Sequence, residues 1–417
     1  MRQHFLDILQ KEIARIDNAK TTKRTEKIIE GFTREISPKA LIGGKEVRVF
    51  NSNDYLGLRF SQVLHEAEVA ASEKYGTGPG AVRFISGTLK IHRDLEQSIA
   101  KFHKQDEAMI FSSAFAANLA VLFCMLKGQS KDSLVSEDVL VVSDALNHRS
   151  IIDGIRLAGL NSEQKQIFKH MDAQDLAKVL KKHVGKYKRV VVVTDGVFSM
   201  LGEYQQLKRV REVVDAFDKK YQEGVFLIVD DCHGIAACGK TGRGTSEVFD
   251  ISADLTVGTL GKGFGADGGY VVGNQTVINY LRESAVTYIY SNSISPGTAG
   301  AARAAVELVD GPEGKRLLHA LSENIRLFKK EMKQAGFAFA ADSSHPIQPI
   351  LIGDAAKTKA LTEGLFEEGI LVTNINYPVV PPGRDEIRVQ ISASHQTADI
   401  EYFVAKATSV ARKLGIV

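Results

Sequence analysis

The chain places acid and base side chains at three points where a run of apolar residues stops. RVVVVTD ends in Thr194 and Asp195, VFLIVDD ends in Asp230 and Asp231 with Cys232 and His233 behind them, and DLTVGT runs into Leu260, Gly261 and Lys262. Lys262 lies inside GTLGKGFGADGG, where almost no neighbouring side chain can pair with it. Glycines let a ligand approach the backbone closely. A lysine in that setting can be desolvated and its pKa lowered, as a Schiff-base amine requires. Alone, the string would read as a surface turn with an incidental lysine. An aspartate leaving a buried strand, with a histidine three residues on, tips the balance. A pyridine ring used as an electron sink needs a carboxylate to keep its nitrogen protonated and an amine to hold its aldehyde. Asp230 and Lys262 are of those two types.

The elements that must position these groups can be read from periodicity. From about residue 106, short apolar runs alternate with segments of helical period: EAMIFSS then FAANLAVLFCML, DVLVVSD then HRSIIDGIRLA, RVVVVTD then LKRVREVVDAFDKKY, and VFLIVDD. VVVVTD and FLIVDD are apolar on both faces, as parallel strands covered by helices must be. The pattern predicts an α/β fold with a multi-stranded sheet between helices, and ligands binding at the carboxyl ends of its strands. The tail has another rhythm. Helical segments near ALSENIRLFKKEMKQAG and KTKALTEGLFEEG alternate with the strand-like HPIQPILI and EIRVQISAS, which predicts a smaller α+β domain. Residues 1 to about 20 read as an amphipathic helix and AKTTKRTEK behind it as a solvated link. The expected division is an N-terminal segment 1–58 that joins the small domain, a large domain 59–295 and a C-terminal small domain 296–417.

Composition excludes several other classes. The 417 residues are 44% hydrophobic and 25% charged, enough apolar material for a large core. Charges of 53 basic and 50 acidic residues are interspersed, with no basic stripe for nucleic acid. Cys124, Cys232 and Cys238 lack paired spacing, so packing in a reducing compartment is expected. The first residues lack the apolar core of a signal peptide and no stretch matches a membrane span, so a cytoplasmic protein is expected. GTGPG near residue 76 follows a helical segment and contains Pro79, against a dinucleotide fingerprint and for a glycine loop near the site. His148, His233 and His395 show no metal-ligand spacing on a common element.

The strings SNDYLGL, FSSAFAAN, SDALNHRSIIDGIRLAG, TDGVFSMLGE, VDDCHG, GTLGKGFG, YSNSISP and YPVVPPGRDEIRVQISASH occur in this order. Together, over roughly residues 48 to 410, the chain resembles the α-oxoamine synthases, pyridoxal 5'-phosphate (PLP) enzymes of the aminotransferase-like fold (fold type I). The resemblance implies a large domain with a mostly parallel seven-stranded sheet and a cytoplasmic homodimer with shared active sites. It also implies that Lys262 is the Schiff-base lysine, Asp230 the partner of the pyridine nitrogen, His233 a neighbour of the ring hydroxyl and His148 the histidine stacked on the ring. By the same resemblance Ser199 lies close to the ring oxygen. Ala114, Phe115 and Thr259 match phosphate contacts, and Asn292 matches one supplied by the partner subunit. A helix starting at Ala114 would offer backbone N–H groups to an anion. Asn53 and Arg388 match residues at the substrate carboxylate, which a planar guanidinium can grip with two parallel hydrogen bonds.

Within the family, SDALNH, TDGVFSM, VRFISGT and YPVVP are most similar to 2-amino-3-ketobutyrate CoA ligase (glycine C-acetyltransferase). That implies an acyltransferase joining glycine to acetyl-CoA. GFGADGG after Lys262 looks more like the 8-amino-7-oxononanoate synthases, which leaves alanine with a longer acyl-CoA, and loss of the carboxylate, as the alternative. A catalytically inactive scaffold subunit would be expected to lack the lysine that this chain has.

Overall fold

Seven strands form the central sheet, in the order Glu107–Phe111, Gly269–Gly273, Leu255–Thr259, Val225–Asp230, Arg189–Asp195, Val139–Asp144 and Lys165–Phe168. This computed structural model describes all residues except 1, 19–21, 25, 34–36 and 378. Part of the AKTTKRTEK link and Pro378 of YPVVP therefore lie outside the described residues. Leu255–Thr259, Val225–Asp230, Arg189–Asp195, Val139–Asp144 and Lys165–Phe168 run parallel to their neighbours in that series, while Gly269–Gly273 is antiparallel to both of its own.

The sequence dictates this layering. Val190, Val191, Val192 and Val193 are all fully buried, with alternate residues on opposite faces. Val191 and Val193 pack with Ile228 and Val257 beneath the helices Ala114–Leu126 and Arg149–Leu157. Val190 and Val192 pack with Leu227 and Val229 beneath Ala173–His183 and Leu207–Asp218. Each such side chain contributes about 1.5–3 kcal/mol when taken out of water.

Register decides the chemistry at the sheet edge. Asp230 lies directly beside Asp195 on the parallel neighbour, so two carboxylates leave the sheet together. The tail forms a second sheet, ordered Ala338–Phe339, Ile347–Leu351, Glu386–Gln390, Thr373–Ile375. Ile387 and Val389 bury into its core, so Glu386, Arg388 and Gln390 occupy the other face. Near the N-terminus, Gly31–Thr33, Lys39–Ile42 and Lys45–Val49 form a sheet with Ile370–Leu371 of the tail. The helix Arg2–Asn18 buries none of its residues.

Candidate active site

The ends of four strands and the segments after them, together with one helix N-terminus, line a cavity of about 280 Å³. Its wall includes Ala114, Phe115, His148, Ser199, Asp230, His233, Thr259 and Lys262. Asn118, Ser150, Asp195 and Cys232 also line it; Asn118 and Ser150 lie in the strings FSSAFAAN and SDALNHRSIIDGIRLAG without a role expected of them there. Cys124, Cys232 and Cys238 are all free and buried.

The loop carrying Lys262 is closed on itself. Leu260 N–H donates to Gly268 O at 2.9 Å, Ala266 N–H to Leu260 O at 3.0 Å and Gly265 N–H to Lys262 O at 2.9 Å. Its glycines permit contact with the loop after Asp230, since a Cβ at Gly263 would lie 2.3 Å from Ala236 O. Both key loops are thereby fixed against each other.

Asp230 is held at the end of its strand. Its Oδ2 accepts from Asn118 Nδ2 at 2.6 Å and its Oδ1 from Cys232 N–H at 3.1 Å. Asn118 also reaches Ser150 Oγ at 3.0 Å, and that hydroxyl lies 2.7 Å from His148 Nδ1. His148 caps the helix Arg149–Leu157, and its backbone N–H donates to Asp195 Oδ2 at 3.1 Å. Desolvation by its surroundings, aided by Lys262 and opposed by Asp230, holds His148 below the usual imidazole range. Burial and the adjacent Asp230 push Asp195 well above the carboxylate range.

His233 is fixed by Tyr55, whose hydroxyl lies 2.7 Å from its Nδ1, while its carbonyl faces His345 Nε2 at 2.8 Å. Burial, with Lys262, Arg388 and His345 nearby, keeps the His233 ring well below its ordinary pKa. Neither Tyr55 nor His345 was signalled as a site residue, because each is distant in sequence and acts through a second side chain.

The opposite end of the cavity suits an anion. Ser113 caps the helix Ala114–Leu126 by accepting from Ala116 N–H at 3.1 Å, leaving the N–H groups of Ala114 and Phe115 without intrahelical acceptors. Gly269 makes room for this cup, since a Cβ there would lie 2.1 Å from Ala114 N. Thr259 Oγ1 donates to Gly268 O at 3.1 Å and accepts from Gly261 N–H at 3.2 Å.

Three expected residues lie outside the wall. Arg388 is anchored next to it, its Nε donating to Ser199 O at 2.7 Å. Asn53 Oδ1 lies 2.6 Å from the Gln390 amide on the same strand as Arg388. Asn292 is exposed and is not brought to the cavity of its own chain. His395, set aside as a metal ligand, is a core residue stacked on Phe50.

The fit of a pyridoxal phosphate can be tested on this geometry. Asn118 Oδ1 and Asp195 Oδ1 are buried at the wall with no hydrogen-bond partner. Buried polar atoms of this kind are normally satisfied. A flat heterocycle with a protonated nitrogen, an aldehyde and a phosphate matches a cavity that offers a carboxylate, an amine and a helix N-terminus.

The architecture is the PLP-dependent aminotransferase-like fold, and the chain belongs to the aminotransferase class I and II family, whose family model matches residues 45–406. It is similar to the 8-amino-7-oxononanoate synthase of Thermosipho melanesiensis, 37% identical over 90% of this chain and 91% of that one. The enzyme of the same name from Geobacter sulfurreducens is 39% identical, with the same shares covered. A serine palmitoyltransferase from S. paucimobilis, solved with bound PLP and myriocin, superposes with a TM-score of 0.86 at 26% identity over 99% of each chain. These relatives place the chain among the α-oxoamine synthases. They do not support the leaning toward glycine C-acetyltransferase and fit its alternative better. The reason lies in what the guiding strings do. Asp144, Asn147 and His148 of SDALNH pin strand ends, Asn147 Nδ2 donating to Val193 O at 2.8 Å. Arg83 of VRFISGT is buried against Glu96. Asp144, Asn147 and Arg83 are thus occupied in holding this chain's own fold and say nothing of the acyl group.

Proposed function

We propose that the protein is a PLP-dependent α-oxoamine synthase that joins the Cα of alanine to the acyl group of a long acyl-CoA, with Lys262 as the covalent anchor of the cofactor. The observation that carries this reading is the convergence of Lys262, Asp230, His148 and the helix start at Ala114 on one cavity. When bound, PLP supplies an electron sink for the bonds at Cα.

Asp230 would hold the proton of the ring nitrogen, with Asn118 fixing its orientation. His148 would lie on the ring face, and His233 and Ser199 near the ring oxygen. Ala114, Phe115 and Thr259 would receive the phosphate, with Asn292 of a second copy completing the cup. Lys262, once its amine is free, is the base for the Cα proton. Arg388 has its Nε committed to Ser199 O and its Nη1 within 2.8 Å of the Gln390 amide oxygen, which leaves Nη2 to lead the grip on the substrate carboxylate beside Asn53. A bond then forms from Cα to the thioester carbonyl carbon, the carbon–sulfur bond breaks, and CoA leaves as the thiol. The names of the relatives favour loss of the amino-acid carboxylate as CO2.

A homodimer is part of this reading. Phe84, Ile85 and Tyr290 are 60%, 65% and 76% exposed. They border the short helix Val286–Ile289, whose Thr287 Oγ1 donates to Ala116 O at the phosphate cup. An apolar surface beside a site that needs one more ligand suits a second copy of the chain.

The test is a screen of amino acids against acyl-CoA donors, read as free thiol released. Alanine with pimeloyl-CoA should exceed glycine with acetyl-CoA by more than about tenfold in kcat/KM, because one methyl misfit and one unmatched acyl tail each cost about 1–3 kcal/mol. The reverse order would restore the glycine reading. Thiol release with no pair would remove the α-oxoamine synthase reading itself.

A further inference from the structure

Glu386 is fully buried, and neither of its carboxylate oxygens has a hydrogen-bond partner. An unpaired buried carboxylate is strongly unfavourable, and a carboxyl kept only for structure would be hydrogen-bonded. Its surroundings give it another role. Glu386 and Arg388 are two residues apart on the strand Glu386–Gln390 and share a face. The direct neighbours of Glu386 across the sheet are Leu351 and Ile375, neither charged. The charged groups that act on it are Arg384 and Arg388 along its own chain and Glu203 from the large domain. Behind Glu203 stands His170, whose Nε2 lies 3.4 Å from Glu203 Oε2 and whose Nδ1 lies 2.9 Å from Asp144. Asp385 precedes Glu386 in the chain. Arg388 makes no ion pair of its own among the described residues; its Nε is bonded to a neutral carbonyl.

We propose that Glu386 is a positioning residue of the carboxylate site: it is the reserve counter-ion of Arg388, and it takes one proton from solvent when a substrate carboxylate binds that guanidinium. This rests on the reading of Arg388 as the carboxylate-binding residue. Two carboxylates around one guanidinium in a buried setting do not both stay charged. While the site is empty, the negative charge on Glu386 partly balances Arg388. An incoming carboxylate neutralises that guanidinium and adds repulsion, so the proton goes to a Glu386 oxygen. Burial, opposed by Arg384 and Arg388, already pushes Glu386 up to about 7, so the exchange falls within the working range of an enzyme. Protonated Glu386 no longer competes with the substrate for the charge of Arg388, whose Nη1 is also held by the Gln390 amide oxygen at 2.8 Å.

The experiment is isothermal titration of the holoenzyme with propionate, a carboxylate without an amine. It is run to high ligand concentration at pH 6, 7 and 8, in two buffers of different ionisation enthalpy. Proton uptake should approach one per site at pH 8 and fall toward zero at pH 6. The affinity at pH 8 should be about tenfold weaker than at pH 6, as expected for a carboxyl titrating near 7 that must be neutral in the complex. Glu386→Gln should still bind propionate, without the uptake and with a flat pH profile; Glu386→Leu provides a second neutral variant if the glutamine protein is unstable. Uptake that persists in a neutral variant overturns the inference while leaving Arg388 in place. Propionate binding that is absent from the wild type, or that survives in Arg388→Ala, overturns the reading of Arg388 beneath it.

Discussion

Asn118 shows how much of a site can rest on one side chain. It donates to the Asp230 carboxylate at 2.6 Å from the middle of a helix that otherwise packs against the sheet. Hydrogen bonds to charged groups contribute about 1.5–3 kcal/mol, and a carboxylate that swings away from a ring nitrogen loses its electrostatic effect there. Asn118→Ala should therefore lower kcat/KM by roughly 10–100-fold while the protein still binds PLP, measured as thiol release on cofactor-saturated enzyme. An unchanged kcat/KM would mean that Asp230 orients itself. The residues legible in the sequence were those that end strands: Lys262, Asp230, His233 and His148 each follow an apolar run. Asn118, Ser150, Tyr55 and His345 act through partners 32 to 178 residues away, or from inside apolar helices, and no local pattern announces that. Asp195 lay in plain view at the end of VVVVTD, yet its meaning needed the register that sets it beside Asp230.

At the scale of elements, the sheet was readable where strands are apolar on both faces and obscure at its margins. Lys165–Phe168 is an edge strand with three of its four residues at least partly exposed, so it carries no buried run. Gly269–Gly273 is buried, but its two terminal glycines hide it in a string that reads as a turn. That second strand turns out to pack closely against the start of the helix Ala114–Leu126. Gly269→Ala would push a methyl group onto backbone, 2.1 Å from Ala114 N and 2.3 Å from Ser113 C, where no side chain can yield. Helix Ala114–Leu126 must then retreat from the site. The expected outcome is PLP affinity at least about tenfold weaker by equilibrium dialysis, with the secondary structure retained by circular dichroism. Retention of wild-type affinity would separate the cup from cofactor binding. The change of rhythm in the tail coincides with a separate sheet, whereas the pairing of Lys45–Val49 with Ile370–Leu371 joins segments too distant for any periodicity to connect.

At the scale of the molecule, two outcomes follow from charge and assembly. Glu386 has a folded pKa raised from 4.5 to about 7, so between those values the native protein holds more protons than the unfolded chain. Stability from this residue is full below about 4.5 and is lost as pH rises toward 7, by about 3 kcal/mol for a shift of that size. Glu386→Gln should accordingly melt above the wild type at pH 8 and level with it at pH 5, by scanning calorimetry; an equal gap at both pH values would contradict this. For assembly, Lys262→Ala and Asn292→Ala chains, each inactive alone, should regain activity when mixed and allowed to exchange subunits, because one of the two hybrid sites has both residues intact. Full activity in a sedimenting monomer would contradict it. The proposed chemistry depends first on Lys262. Purified protein should be yellow, and borohydride should fix the cofactor irreversibly to one peptide. Peptide mapping of the reduced protein is predicted to find that adduct on Lys262; an adduct on any other lysine, or none in protein saturated with PLP, would contradict the account.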